Sequence, residues 1–242
     1  MTDEDLGMTP GVVRSLQVSS GLCAQLLRES LTPETYDSLR AVAAFLLEPP
    51  FSELAPGPAG VLFEVFAGEG DAVAGAGGAA GAGGEDDFIG PLLKTLHQDY
   101  SYLFYMVGQS GASPYESPYR TVDRTLYGPT TLELRALMAR FGVQTAPDCT
   151  EPDDHIAFEL AFLSELLGRL ADALEQGASG VALLDGIHTL LADHLLGFGP
   201  VYLEKLAQAA RTPFYQAVAH LTQATLAATA ETFKTQAAYS VL

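Results

Sequence analysis

Residues 151–163 read EPDDHIAFELAFL. From Ile156 onward the apolar positions fall at Ile156, Leu160, Leu163, Leu167, Leu170 and Leu174, widened by Phe158, Phe162 and Leu166. Spacings of three and four residues put them on one face of a helix. Pro152 predicts its start and Gly177 its end. The same grammar extends outward. Thr9-Pro10, Thr32-Pro33 and Thr212-Pro213 each set a capping hydroxyl before a proline suited to a first helical turn. The pattern from Thr32 to about Leu47 is helical and is stopped by Pro49-Pro50. Ile89, Leu92, Leu93, Leu96, Tyr100, Leu103 and Phe104 mark another helical face, and Leu134, Leu137, Met138 and Phe141 a shorter one ending at Gly142. Ser179 is placed to cap a helix reaching about Leu196, with further helices from about Pro200 and from Pro213. No alternating strand or Asn-Gly hairpin stands out. The expected fold is all-α, a single multi-helix bundle-like domain over residues 1–242.

One stretch breaks the pattern. Ala67 to Gly84 holds eight glycines and seven alanines, followed by Glu85, Asp86 and Asp87. It predicts a flexible insertion at 67–87, either a linker between two lobes or a surface loop of one domain. No GxxxxGK[ST] is present, and acids directly after the glycines repel phosphate.

The chain has 30 acidic and 12 basic residues, a formal charge of −18. Such a field opposes nucleic acid and favours cationic ligands or peptides. Hydrophobic residues make up 48% of the 242, a globular composition with enough material for a sizeable core. Cys23 and Cys149 form no CxxC and read as reduced thiols. The start, MTDEDLGM, has no basic n-region before an apolar stretch, and Asp185, His188, Asp193 and His194 interrupt the apolar run Val181–Leu196. A cytoplasmic protein without a membrane span is expected.

Enzyme signatures are scarce. GxSxG and HExxH are absent, and no strand precedes the glycines as a dinucleotide fingerprint needs. Only Asp185–His188 approaches a metal-ligand spacing, once. Neither a metal nor a cofactor is expected.

Two constellations rise above this background. SPYESPYR, Ser113–Arg120, packs two prolines and two tyrosines into an irregular segment, offering rigid aromatic faces. Glu151, Asp153 and Asp154 give more carboxylate at a helix start than a dipole needs. Beside them His155 is a group that titrates near neutral pH, one turn from Glu159 and within reach of it. An acid–base role has no accompanying nucleophile or metal.

At these residues the chain resembles the TorD/DmsD family of redox-enzyme maturation chaperones. Glu151, Pro152, Asp154, His155, Glu159, Leu160, Phe162 and Leu163 match its pattern of approximately E-x-P-D-H-x-x-x-E-L-x-F-L, which varies slightly in spacing and here has the proline one place earlier. Pro114, Tyr115, Glu116, Ser117 and Tyr119 match its P-[WY]-E-S-V-Y loop, with Pro118 in place of valine. The segments 129–143 and 194–222 are similar too. The resemblance implies an all-helical cytoplasmic protein, not an enzyme. It implies binding to the twin-arginine signal peptide of a molybdopterin oxidoreductase subunit, delaying export until that subunit's cofactor is inserted. An alternative is a scaffold for the mature apo-subunit. The resemblance implies leader binding at Pro152, Asp154 and His155 with the aromatic loop Pro114, Tyr115 and Tyr119. By charge and apolarity, Glu151, Asp153 and Asp154 are expected to attract the arginines, and Tyr100, Leu103, Phe104, Tyr115 and Tyr119 to floor the apolar stretch. The chain departs from the family in having no tryptophan, and in reading His194-Leu195-Leu196-Gly197-Phe198 where the family has H-L-L-P-W.

Overall fold

The computed structural model describes residues 8–67, 85–146 and 148–239. Among them the regular structure is helical, apart from one isolated antiparallel bridge between Tyr115 and His155. The helices are α1 (Pro10–Arg28), α2 (Pro33–Ala41), α3 (Phe51–Leu54), α4 (Pro56–Ala67), α5 (Glu85–Tyr100) and α6 (Val107–Ser110). They continue with α7 (Ser117–Arg120), α8 (Pro129–Arg140), α9 (Ile156–Glu175), α10 (Val181–Leu190), α11 (Leu196–Ala209) and α12 (Pro213–Thr232).

The chain forms two compact units. Unit 1 takes Met1–Arg28, Ser113–Tyr202 and Thr225–Leu242; unit 2 takes Glu29–Ala112 and Leu203–Ala224. The Gly/Ala tract falls within the sequence span of unit 2, and its residues 68–84 lie outside the described residues.

Unit 1 is organised by α1 against α9. Ile156, Leu160, Leu163, Leu167 and Leu170 of α9 are at most 1% exposed, as are Val13, Cys23, Leu26 and Leu27 of α1. Each such aliphatic side chain contributes about 1.5–3 kcal/mol on burial. The backbones come close because the contact residues are small. A Cβ on Gly168 would lie 2.8 Å from the Gln17 side chain, and Ser164 donates to the Gln17 carbonyl at 2.9 Å. Arg14 closes the far end on Asp172 and Glu175.

Unit 2 has an aromatic core. Tyr36, Phe66 and Phe214 form a chain of ring contacts at 5.8 and 6.0 Å. Tyr100 stacks on Phe104 at 4.3 Å, and both meet Tyr215. Asp99, 2% exposed, accepts from the Arg211 and Thr212 amides and from the Thr212 hydroxyl, tying the start of α12 to the end of α5.

Several helix limits differ from those predicted. Thr9, Thr32 and Thr212 each accept an amide hydrogen from the first turn that follows. α2 stops at Ala41, and Ala43–Leu47 tightens into a 3₁₀ turn. α9 starts at Ile156, so Pro152 lies on its approach; His155 is the cap. Gly180, not Ser179, precedes α10. α5 and α10 each run on into a five-residue π-helical segment, Ser101–Tyr105 and Leu191–Leu195. The second leads directly into α11, so Pro200 sits inside that helix instead of starting one.

The continuous helical run Val181–Ala209 is therefore long and apolar enough by composition to cross a membrane, a correction to the shorter apolar run read from the sequence. Ile187, Leu190, Leu191, Leu195 and Phe198 within it are 0% exposed, as expected of a core helix. Cys23 and Cys149 are both free thiols.

Candidate functional site

The two constellations meet in unit 1. The Glu116 amide donates to the Asp154 carbonyl at 2.9 Å, and the Ile156 amide to the Pro114 carbonyl at 2.8 Å, a two-bond bridge joining the tyrosine loop to the approach of α9. His155 caps α9: its Nδ1 accepts the Ala157 amide at 3.1 Å, which fixes the proton of the neutral ring on Nε2. The Tyr115 ring meets the imidazole edge-on at 5.1 Å, Phe158 packs on the ring at 5.7 Å, and Arg28 lies over Phe158 at 4.6 Å.

Carboxylates of the approach are committed to neighbours within the unit. Asp154, 0% exposed, accepts from the Ser117 amide at 2.8 Å, from the Ser117 hydroxyl, and from the Thr131 hydroxyl at 3.0 Å. It thereby joins the starts of α7 and α8 to the approach of α9. Asp153, equally buried, pairs with Arg135 at 2.6 Å and takes the Thr145 hydroxyl at 2.8 Å. Glu151 is half-buried and pairs with Arg28 at 3.2 Å. Of the three acids only Glu151 faces solvent appreciably. Pro114, Pro152 and Tyr119 are buried; Tyr115 is half-buried. Tyr100, Leu103 and Phe104 belong to unit 2, where they are 3%, 0% and 7% exposed. The structure thus gathers eight of the expected site residues in unit 1 and places these three in the core of the other unit.

Two chemical expectations are corrected. His155 does not titrate near neutrality: burial, helped by Arg28, lowers its pKa from 6.5 to about 3. Nor does it pair with Glu159, whose two carboxyl oxygens are buried with no hydrogen-bond partner among the described residues. Burial, with Glu116 and Asp154 nearby, raises the Glu159 pKa well above the carboxylate range. The His155 shift has a defined sign. The unfolded chain takes up a proton here before the folded one, so this contribution to stability is full above about pH 6.5. It is lost as pH falls toward 3. His155→Asn keeps a capping acceptor and removes the titration. The expected result is a flatter melting temperature between pH 7 and pH 4 than in the parent; an identical slope would contradict the assignment.

Other residues here were not among the expected site residues, Glu116 and His194 having stood only as parts of the family patterns. Glu116, 0% exposed, accepts from Arg120 at 2.8 Å, from Tyr239 at 2.6 Å and from His194 at 2.8 Å. Next to the bridge, the loop after α7 exposes Val122 (87%), Leu126 (45%) and Tyr127 (62%), and α8 adds Leu132 (63%). The loop passes through the left-handed region at Arg124 (φ 50°) and Tyr127 (φ 58°), a conformation non-glycine residues seldom adopt without a reason. The Tyr127 hydroxyl donates to the Thr150 carbonyl at 2.9 Å, holding the loop beside Glu151. Asp123, Arg124 and Glu133 are exposed in the same segment. The loop reads TVDRTLYG over residues 121–128, and its apolar positions Val122, Leu126 and Tyr127 have neither helical nor strand periodicity.

Comparison with known proteins follows these same segments. Residues 90–204 match the family model described as the nitrate reductase delta subunit. Over 126 residues, 52% of the chain, the protein is 33% identical to the chaperone protein TorD of Vibrio parahaemolyticus serotype O3:K6, covering 58% of that relative. The corresponding protein of Vibrio cholerae serotype O1 is 31% identical over 126 residues, 56% of its length. That of Escherichia coli O81 is 29% identical over 128 residues, 58% of its length. The matched region thus spans less than two thirds of each of these relatives.

Proposed function

The chain is related, across about half its length, to the TorD-type chaperones, and from this kinship we propose that it is a maturation chaperone for a molybdopterin-containing oxidoreductase, binding the subunit's twin-arginine signal peptide in the cytoplasm before export. One observation carries the reading: Val122, Leu126, Tyr127 and Leu132 are exposed in a segment that also exposes Asp123 and Glu133, and Tyr127 bonds to Thr150, next to Glu151 on the approach of α9. A leader of this kind has arginines followed by an apolar stretch. The apolar set matches the stretch and the exposed carboxylates match the arginines. The pair Arg28–Glu151 is half-exposed, so an incoming guanidinium can exchange for Arg28 on the same carboxylate. Asp153, Asp154 and His155, with Pro114, Pro152 and Tyr119, hold the loop in place; Tyr115 and Glu151 face the peptide.

The test is calorimetric titration with a synthetic twin-arginine leader and its Lys-Lys counterpart. We expect binding that weakens with salt, a several-fold preference for arginine, and at least a tenfold loss in Val122→Asp/Leu126→Asp. Those residues are exposed, so the variant's melting temperature is expected to stay within about 2 °C of the parent. No binding to any leader tested overturns the reading. The match to a nitrate reductase delta-subunit model favours a second one, a scaffold for the mature apo-subunit. Co-purification with a leaderless apo-subunit, unaffected by the Val122/Leu126 change, distinguishes it.

A further inference from the structure

The Glu116–His194 pair lies beneath the end of the chain. After α12 the backbone turns at Lys234 (φ 50°) and residues 235–239 run back across unit 1. Thr235 meets the His188 ring nitrogen at 2.6 Å, and the Ala238 amide donates to the Ala192 carbonyl at 2.8 Å. Tyr239 then enters a slot. Its hydroxyl donates to Glu116 at 2.6 Å, and the Arg120 guanidinium covers its ring at 3.7 Å. The opposite wall is the backbone at Gly197, where a Cβ would lie 2.0 Å from the tyrosine ring. Glycine here, at the place where the resembling family has proline, gives the ring its room.

The slot is built and the strap over it is slight. Glu116 and His194 are 0% and 2% exposed, and both are engaged by hydrogen bonds. Gln236, Ala237 and Ala238 of the strap are exposed. A cavity of about 320 Å³ continues beside the ring, lined by Arg120, Glu133, Asp193 and His194 together with Ala238 and Tyr239. One anchoring side chain, a backbone hydrogen bond and small exposed neighbours are how a short extended peptide sits in a receptor groove. Segments held this way open at low free energy.

We propose that this slot is a docking site for an extended peptide segment carrying a tyrosine, and that residues 235–239 occupy it in cis as a competing strap. The specificity is chemical. A phenol supplies both the ring that Arg120 covers and the hydroxyl that Glu116 accepts; phenylalanine supplies only the first and leaves a buried carboxylate oxygen short of a donor.

The probe is a fluorescein-labelled peptide of residues 234–242, KTQAAYSVL, followed by anisotropy against full-length protein. It carries no arginine, so the outcome is independent of the leader titration. Tyr239→Ala is expected to bind it at least tenfold more tightly than the parent. Replacing the probe's tyrosine with phenylalanine should weaken binding several-fold, and the double variant Tyr239→Ala/Gly197→Ala should lose it, since the new methyl fills the slot. A folded Tyr239→Ala that binds no better than the parent overturns the proposal. If Tyr239→Ala does not fold, Gly197→Ala alone decides. Expulsion of the strap should speed hydrogen exchange of the Ala238 amide at least tenfold, and unchanged protection there also overturns it.

Discussion

Replacing Asp154 with alanine is expected to destabilise the protein by about 2–4 kcal/mol, because it leaves buried neutral donors without their acceptor. The reason is what remains behind. Asp154 accepts the Ser117 amide, the Ser117 hydroxyl and the Thr131 hydroxyl. Ser117 and Thr131 are 0% and 2% exposed, so solvent does not readily replace the lost acceptor. Each buried donor left unsatisfied costs about 1–3 kcal/mol. The Ser117 hydroxyl also lies 3.2 Å from the Gly128 amide, which it accepts, so the disturbance extends to the start of α8. Urea unfolding at neutral pH measures the loss. Asp154→Asn retains one acceptor oxygen and should fall between parent and alanine variant. A change below 1 kcal/mol in Asp154→Ala would show that the α7–α8–α9 junction does not depend on this carboxylate. The functional consequence separates two roles. If Asp154 positions the loop, leader affinity and stability fall together in both variants; if it touches the peptide, Asp154→Asn loses affinity out of proportion to its stability.

The helices were legible because their signals are local. A stripe such as Ile156–Leu160–Leu163–Leu167 reports one face whatever packs on it, and Thr-Pro pairs mark starts through bonds made within the next turn. The π-helical segments were not. One extra residue per turn shifts the apolar stripe without interrupting it, so α10 through α11 read as two helices broken at Pro200. At the site the same limit applies to charge. The surplus of acid at Glu151, Asp153 and Asp154 was visible; the groups that neutralise it were not. Arg28 is 123 residues from Glu151, and Arg135 is 18 from Asp153. Glu116 meets His194 across 78 residues and Tyr239 across 123. Composition gives the acids a net field, but only the fold tells which of them are spent on internal partners and which still face solvent.

Glu159 shows where that distinction has the opposite energetic sign. It belongs to the same motif, yet its carboxyl is 0% exposed and has no hydrogen-bond partner among the described residues. Burial, then Glu116 and Asp154, push its pKa up, partly offset by Arg120. The folded state therefore holds a proton that the unfolded chain releases above its ordinary pKa of 4.5. Folding is penalised increasingly as pH rises from there toward the folded pKa. Glu159→Met removes the penalty and fills a similar volume, so stability at neutral pH should rise by about 1–3 kcal/mol, the cost of a buried polar group left unsatisfied. Glu159→Gln removes the titration and keeps an unsatisfied polar group, so its gain should be smaller. The gap between Glu159→Met and parent should widen from pH 5 to pH 8 in thermal melts. A loss of stability in Glu159→Met, or a gap that does not change with pH, would mean that the carboxyl is satisfied in the folded protein. A more stable variant with weakened peptide binding would place Glu159 among residues kept for function at the expense of the fold.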